Sequence, residues 1–448
     1  MQTVVFVMYH GMGHFNACLR AAKILFKQYQ VVFAGHPSFQ NYLEAQGFMY
    51  YPLHTVPFGM GFENWVNKQT KQKNIYLSSL TDRWRDTCYH RREAELHQLL
   101  LDLSPEYLLI DAYQASDFLV LYPMIHEQDV RVGFIQTMLS TKISDTTPPI
   151  NSLVLPDDRE GIKKAVRNFR FKKLRARLLQ SVLYLGMSDQ AIIRRRIRKN
   201  QLPVNYQSSA TPLRGPVFAN IPELVLAPKE FDVEQVTSND HRYYVGFLLD
   251  NDRIEISDRE YFKIDSVIRK KLQQSEHSLI YCSFGTVKMT DASAVTAFLQ
   301  KLVNTVRDAE CIVVISIHSI TERNSFHDIP DNVYFLKAVP QLEILKQADV
   351  FITHGGLNSI KESIHAGVPM LVYPLQAYTD TMGNSSRVVY HHLGLRGDLV
   401  NDQEDDIGRK IEALINDDHF RENIAKLRKT DEMYGEKFLE HFQKLTRV

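Results

Sequence analysis

Cysteine is scarce in this 448-residue chain: Cys18, Cys88, Cys282 and Cys311 lie far apart and form no Cys-x-x-Cys pair. That leaves nothing on which to build a disulfide framework or a thiolate metal site, and a reducing compartment fits. No run of 18 apolar residues occurs, so no spanning helix is expected. The amino end, Met1-Gln2-Thr3 before Val4-Val5-Phe6-Val7, has no basic region and too short an apolar run for a secretory signal. Internal repeats and low-complexity tracts are missing as well. Together these absences predict a cytoplasmic protein. Net charge is nearly absent, at +1, but it is unevenly placed. Residues 1–230 carry 28 Lys and Arg against 19 Asp and Glu, a net +9, and the remainder carries 25 against 33, a net −8. Halves of opposite sign predict two domains with different surfaces.

What is present supports that division. At 44% hydrophobic and 23% charged, the chain has ample material for two or three globular cores. Val4–Met8, Val31–Ala34, Tyr107–Ile110 and Arg131–Ile135 read as strands alternating with helical spacing, as in Asn16–Tyr29. The same grammar restarts at Ser278–Ser283 and continues through Cys311–Ile317, Val333–Phe335, Val350–Thr353 and Met370–Tyr373. Such alternation predicts an α/β protein of two doubly wound, Rossmann-like halves. We place them at residues 1–235 and 258–429, joined by a polar connection at 236–257. The last segment, Asp418–Val448, reads as helical.

The densest chemistry lies between Val339 and Asn384. Pro340-Gln341 and a short amphipathic segment precede the apolar run Val350-Phe351-Ile352. That predicted strand breaks at Thr353-His354-Gly355-Gly356, and Asn358, Ser359 and Glu362 follow on the first turns of a predicted helix. Such a turn aims several backbone N–H groups at one spot, where the helix dipole adds about half a positive charge. A phosphate suits it.

This stretch resembles the donor-binding signature of the UDP-glycosyltransferase family, inverting nucleotide-sugar transferases of the GT-B fold. The family pattern runs P-Q, H-x-G-x-N-S-x-x-E, G-V-P and D/E-Q-x-x-N. Pro340, Gln341, His354, Gly356, Asn358, Ser359, Glu362, Gly367, Val368, Pro369, Pro374, Asp380 and Asn384 match it. Tyr281-Cys282-Ser283-Phe284-Gly285-Thr286 is similar to the family's Y-x-S-F-G-S/T. The resemblance implies two domains facing across a cleft, with a terminal helix (about 430–448) returning to the first. It implies that Ser283 or Thr286 bonds the diphosphate while Gly285 lets the backbone approach. His354, the Ser359 hydroxyl and the helix amides would steady the leaving group, with Asn358 beside the phosphates. Pro340 and Gln341 would hold the base, Glu362 the ribose and Asp380 the sugar hydroxyls. Thr381 stands where the family has Gln, so the donor sugar is left open, as is uracil against thymine.

Open parallel sheets bind ligands beyond the carboxyl ends of their strands. The first strand ends in Tyr9-His10-Gly11-Met12-Gly13-His14, which puts His14 where a reacting group belongs. An imidazole there can take a proton from an acceptor hydroxyl at neutral pH. Asp111, at the end of Leu108-Leu109-Ile110, reaches the same sheet edge and can orient it. The family carries its base in a similar Gly-His pair, although Ala17 stands where proline is usual. His10 is a second residue of the same cleft.

Phe58, Met60, Phe62 and Trp65 form an aromatic-glycine stretch that either lines a pocket for a lipophilic hydroxylated or phenolic acceptor or belongs to the core. Asp250-Asn251-Asp252 matches the D-x-D of metal-dependent transferases, but in the connection it reads as a solvated loop, and no metal is expected. Residues 159–199 hold fourteen Lys and Arg with interleaved apolar residues. The favoured reading is a solvated helix whose apolar stripe packs on its own domain; contact with an anionic membrane surface is the alternative. Nucleic acid is not expected, because no recognition motif accompanies the charge. Two rivals remain: a membrane-surface glycolipid synthase, and a silent nucleotide-binding relative.

Overall fold

The computed structural model describes residues 1–208, 211–212, 215–233, 241–255, 261–262, 265–266, 268–269, 273, 277–285, 292–317, 326–375 and 380–447. Of residues 63, 65, 211 and 212 it describes the backbone alone. Thr286 and the Trp65 side chain thus lie outside the described residues.

The first sheet is built from β1 (Thr3–Val7), β2 (Gln30–Gly35), β3 (Met49–Pro52), β4 (Tyr107–Asp111) and β5 (Arg131–Gln136). A two-residue ribbon, β6 (Lys142–Ile143) with β7 (Thr211–Pro212), stands apart from it. Two short strands, β8 (Glu223–Val225) and β9 (Arg242–Tyr244), complete the parallel order β3-β2-β1-β4-β5-β8-β9. The second sheet contains β10 (Ser278–Ser283), β11 (Cys311–Ser316), β12 (Val333–Leu336), β13 (Val350–Thr353), β14 (Met370–Val372) and β15 (Gly394–Arg396). Its order is β12-β11-β10-β13-β14-β15, and every pair is parallel. The central strands are apolar on both faces because helices cover both, so Val4 to Val7 and Val350 to Ile352 are fully buried.

In each sheet the winding reverses beside the first strand, between β1 and β4 and between β10 and β13. Those switch points are where an open sheet leaves a crevice at its carboxyl edge. His14 follows β1 and Asp111 ends β4; Ser283 ends β10 and His354 follows β13.

The chain end differs from one continuous helix. It forms helices His419–Gly435 and Phe438–Phe442, then β16 (Thr446–Arg447), antiparallel to β5. Phe438, Phe442 and Leu445 are buried in the first sheet's core, with the Phe442 ring 4.9 Å from that of Tyr107. Each such buried ring contributes about 1.5–3 kcal/mol, which is what holds this end on the first sheet. The connection between the halves is also less polar than expected, because β9 joins the first sheet and Val245 and Phe247 are buried.

The basic segment folds as a 25-residue helix, Arg159–Leu183, followed by Asp189–Lys199. Here the favoured expectation holds only for the first part of the apolar stripe, where Phe169 packs with Ile162 and Val166. Ile162 and Val166 are buried, but Phe171, Leu174, Leu178, Leu179 and Val182 are between 54% and 78% exposed. They lie away from the face of Ile162 and Val166, so the later part of the stripe is left uncovered by its own domain. No helix among the described residues is long and apolar enough to cross a membrane.

Candidate active site

The first wall of the crevice begins where β1 runs into Gly11, the residue that opens helix Met12–Phe26. His14 sits in the first turn, its ring largely enclosed. Its Nδ1 lies 2.7 Å from Asp111 Oδ2 and 2.8 Å from Thr137 Oγ1. An ionised carboxylate only accepts, so that contact puts the ring proton on Nδ1 and the lone pair on Nε2. Asp111 is itself fixed, since its Oδ1 accepts the Tyr113 amide at 2.9 Å. A side chain at Gly11 would put its Cβ 3.0 Å from His14 Cδ2, which is tighter than ordinary contact.

Burial alone would lower the His14 pKa, but the charge and hydrogen bond of Asp111, with help from Asp380, raise it above 6.5. Asp380 comes from the other half of the chain. His10 stays neutral. Burial, reinforced by Arg92 and His36 against a smaller pull from Glu95, lowers it to about 4, and neither ring nitrogen has a hydrogen-bond partner among the described residues.

The second wall is the turn after β13. Asn358 Nδ2 donates to the Gly13 carbonyl at 2.7 Å, so the two walls meet one residue from the imidazole. His354 is enclosed by glycines: a Cβ at Gly285 would lie 2.8 Å from His354 Cε1, and one at Gly356 2.6 Å from Nε2. Gly285 also has φ +75°, in the left-handed region that disfavours side chains. Buried, with its Nδ1 unpartnered among the described residues, His354 is pushed down to about 4. Its ring is therefore uncharged at neutral pH. Ser283 Oγ accepts the Gly285 amide at 3.4 Å, and Asn384 Nδ2 bridges the Gly355 carbonyl (3.0 Å) and Asp380 Oδ2 (2.8 Å).

Glu362 is already engaged. Gln341 Nε2 donates to its Oε2 at 2.6 Å and reaches Ser359 Oγ at 3.4 Å, and Arg253 Nη1 meets Oε1 at 2.5 Å. Arg253 also pairs with Glu255 at 2.6 Å, and Glu255 in turn accepts the Leu342 amide at 2.9 Å. Pro340 caps the short helix that carries Gln341. Thr381 begins helix Thr381–Tyr390, next to Asp380.

Several residues sit differently from expectation. Asp250 of the D-x-D is not solvated: it is buried and paired with Lys23 of the first helix at 2.7 Å. Phe58 is a core residue edge-on to Tyr89, whereas Met60 and Phe62 keep part of their surface open. Arg253 was not foreseen, and neither was the Thr137 contact with His14. No local pattern marks Arg253, while Thr137 at the end of β5 shares the sheet edge that gave Asp111. Concavities outside the crevice, one of about 340 Å³ beside Arg253 and Pro340 and one of about 700 Å³ along Tyr51 and Glu95, do not touch His14. Chemistry rather than volume marks this site.

The profile of the UDP-glucoronosyl and UDP-glucosyl transferase family matches residues 266–433. NDP-glycosyltransferase YjiC of Bacillus subtilis is 29% identical over 206 residues, covering 46% of this chain and 48% of that protein. YjiC of Bacillus licheniformis is 37% identical over 113 residues, covering 24% of this chain and 28% of that protein. The chain therefore spans about half the length of these curated relatives, or less. Among solved structures, the glycotransferase of kitacinnamycin superposes with a TM-score of 0.67 at 18% identity, covering 99% of this chain and 97% of that one. VinC in complex with dTDP gives 0.62 at 14% identity, with 99% of both chains covered. The protein has the GT-B fold, two parallel α/β sheets of glycosyltransferase type. The likeness to the UDP-glycosyltransferase family lies in residues 266–433.

Proposed function

We propose that this protein is an inverting glycosyltransferase that moves a hexose from a UDP- or dTDP-sugar to a hydroxyl of a lipophilic small molecule. The donor lies on the turn after β13 and the acceptor against the first sheet. His14 Nε2 takes the acceptor's proton; the acceptor oxygen forms the new bond at the anomeric carbon as the bond to the diphosphate oxygen breaks. The nucleoside diphosphate leaves with that electron pair, and backside attack inverts the configuration. Helix Leu357–Ala366 aims its first amides at the leaving oxygens, next to the neutral His354. We assign no metal to the reaction, on the ground that the D-x-D carboxylate Asp250 is neutralised by Lys23. Met60 and Phe62 are proposed acceptor contacts. The four cysteines, which form no disulfide among the described residues, fit a cytoplasmic setting.

The observation that carries this reading is the His14–Asp111 contact at 2.7 Å, placed one residue from the Asn358–Gly13 bond between the walls. Protection of the protein against heating by a panel of nucleotide sugars, then mass spectrometry of products from hydrophobic alcohols and phenols, tests it. Product formation that disappears in His14→Ala supports the transferase. Nucleotide binding without turnover on any acceptor would favour the silent relative instead.

A further inference from the structure

Helix Arg159–Leu183 turns one face to the protein and the other to water. The inner face is defined by Ile162 and Val166, then by Gln180, whose amide donates to Asp189 at 3.1 Å, and by the buried Tyr184 beneath the Arg83 guanidinium. At 3.6 residues per turn, Phe171, Leu174, Leu178 and Val182 fall on the opposite side in one line. All four are exposed, and Leu77 and Leu185 extend the apolar surface past the helix end. Tyr76 fixes that extension by donating its hydroxyl to the Leu183 carbonyl at 2.6 Å. A continuous apolar face of this length on a surface marks a place where something docks.

Charge indicates what docks there. The helix carries nine Lys and Arg and a single acid, Glu160. Arg167, Lys172, Arg175 and Arg177 are exposed beside the stripe and make no ion pair among the described residues. The following helix is different, since Asp86 takes Arg195, Arg196 and Lys199 together. Unneutralised cations therefore concentrate on the element that shows the apolar stripe. A second copy of so basic a face would repel the first.

We propose that this face docks on an anionic phospholipid surface, with the stripe at the headgroup–acyl boundary and the flanking arginines and lysines on lipid phosphates. Neither signal alone anchors a protein well, and the helix supplies both. The proposal does not depend on the transferase reading, because binding is scored without turnover.

Cosedimentation of the full chain with vesicles tests it. Pelleting is expected with phosphatidylcholine–phosphatidylglycerol vesicles and not with phosphatidylcholine alone, and it should fall as salt is raised. Leu174→Glu/Leu178→Glu should weaken binding about tenfold or more with an unchanged thermal midpoint, because both sites face solvent. Arg167→Gln/Arg175→Gln, which leaves the stripe apolar, should also weaken it and keeps the test decisive if the glutamates disturb folding. Absence of pelleting with the anionic vesicles, or full binding by both variants, overturns the proposal. A dimer that dissociates in the Leu174→Glu/Leu178→Glu variant, with no vesicle binding, overturns it in favour of a second copy.

Discussion

Asn358 and Gly13 are 345 positions apart in sequence, yet the Asn358 amide donates to the Gly13 carbonyl at 2.7 Å. The bond ties the opening of the helix that would hold the diphosphate to the residue before the proposed base. A neutral hydrogen bond of this kind is worth about 0.5–1.5 kcal/mol, or up to about tenfold in an equilibrium or a rate. Asn358→Ala should therefore lower kcat/KM by about that factor with little change in thermal midpoint. Steady-state kinetics with both substrates varied would show it, and an unchanged kcat/KM would mean that the walls are held together elsewhere.

His14 should impose an acid limb on the pH profile. Burial lowers its pKa, but Asp111 and Asp380 outweigh burial and raise it above 6.5. The base works unprotonated, so kcat/KM should rise with pH through a value above 6.5. Asp111→Asn removes the dominant raising charge, so the limb should move to lower pH while the rate at pH 8 falls about 10²-fold or more. His14→Ala should cost about 10²–10⁴-fold. The same shift lets the pair stabilise the fold below pH 6.5, a contribution lost as pH rises through the folded value. A limb that stays in place in Asp111→Asn would remove Asp111 from the mechanism.

Arg253 and Glu362 form a buried pair at 2.5 Å, with Glu255 as third member. Burial works against the Arg253 charge, yet Glu362 and Glu255 raise its pKa. Removing one member of such a pair leaves an unmatched buried charge, which typically costs about 3–5 kcal/mol. Arg253→Ala should lower the thermal midpoint by several degrees, and Glu362→Gln in that background should restore part of the loss. Calorimetry on the double-mutant cycle measures the coupling. Additive losses would show that the two side chains are independent.

The two sheets were readable because their central strands are four- to six-residue apolar runs, buried on both faces. The short outer strands Met49–Pro52, Glu223–Val225 and Arg242–Tyr244 were not. Three or four residues carry too little pattern, and pairing with a neighbour makes them strands. His14, Asp111 and the turn at His354 were legible from position alone, since strand ends and glycines dictate where they go. Arg253 was not, because its partner Glu362 lies 109 positions away and only the folded chain joins them. The charge state of His354 was equally hidden: the sequence shows an imidazole, and burial makes it neutral. The basic helix was visible as amphipathic, but which face met the protein depended on Tyr184 and Gln180 beyond its middle.

Lys361 presents a cost that the fold has not relieved. Its ammonium is buried on helix Leu357–Ala366 with no hydrogen-bond partner among the described residues, 5.7 Å from the Phe247 ring. Burial pulls its pKa from 10.5 down to about 8, against weaker opposing effects of Cys18, Asp431 and Glu362. Below pH 8 the folded protein must carry a charge it solvates poorly, at a cost of about 3 kcal/mol. Between pH 8 and 10.5 the unfolded chain binds more protons than the folded one, so stability rises with pH across that window. Lys361→Met keeps the length and removes the charge. It should raise the thermal midpoint by a few degrees at pH 7, with the gain shrinking toward zero as pH approaches 10.5. Thermal unfolding of both proteins across that range decides the matter: a variant less stable at pH 7 would mean that the folded state holds an anion against this amine.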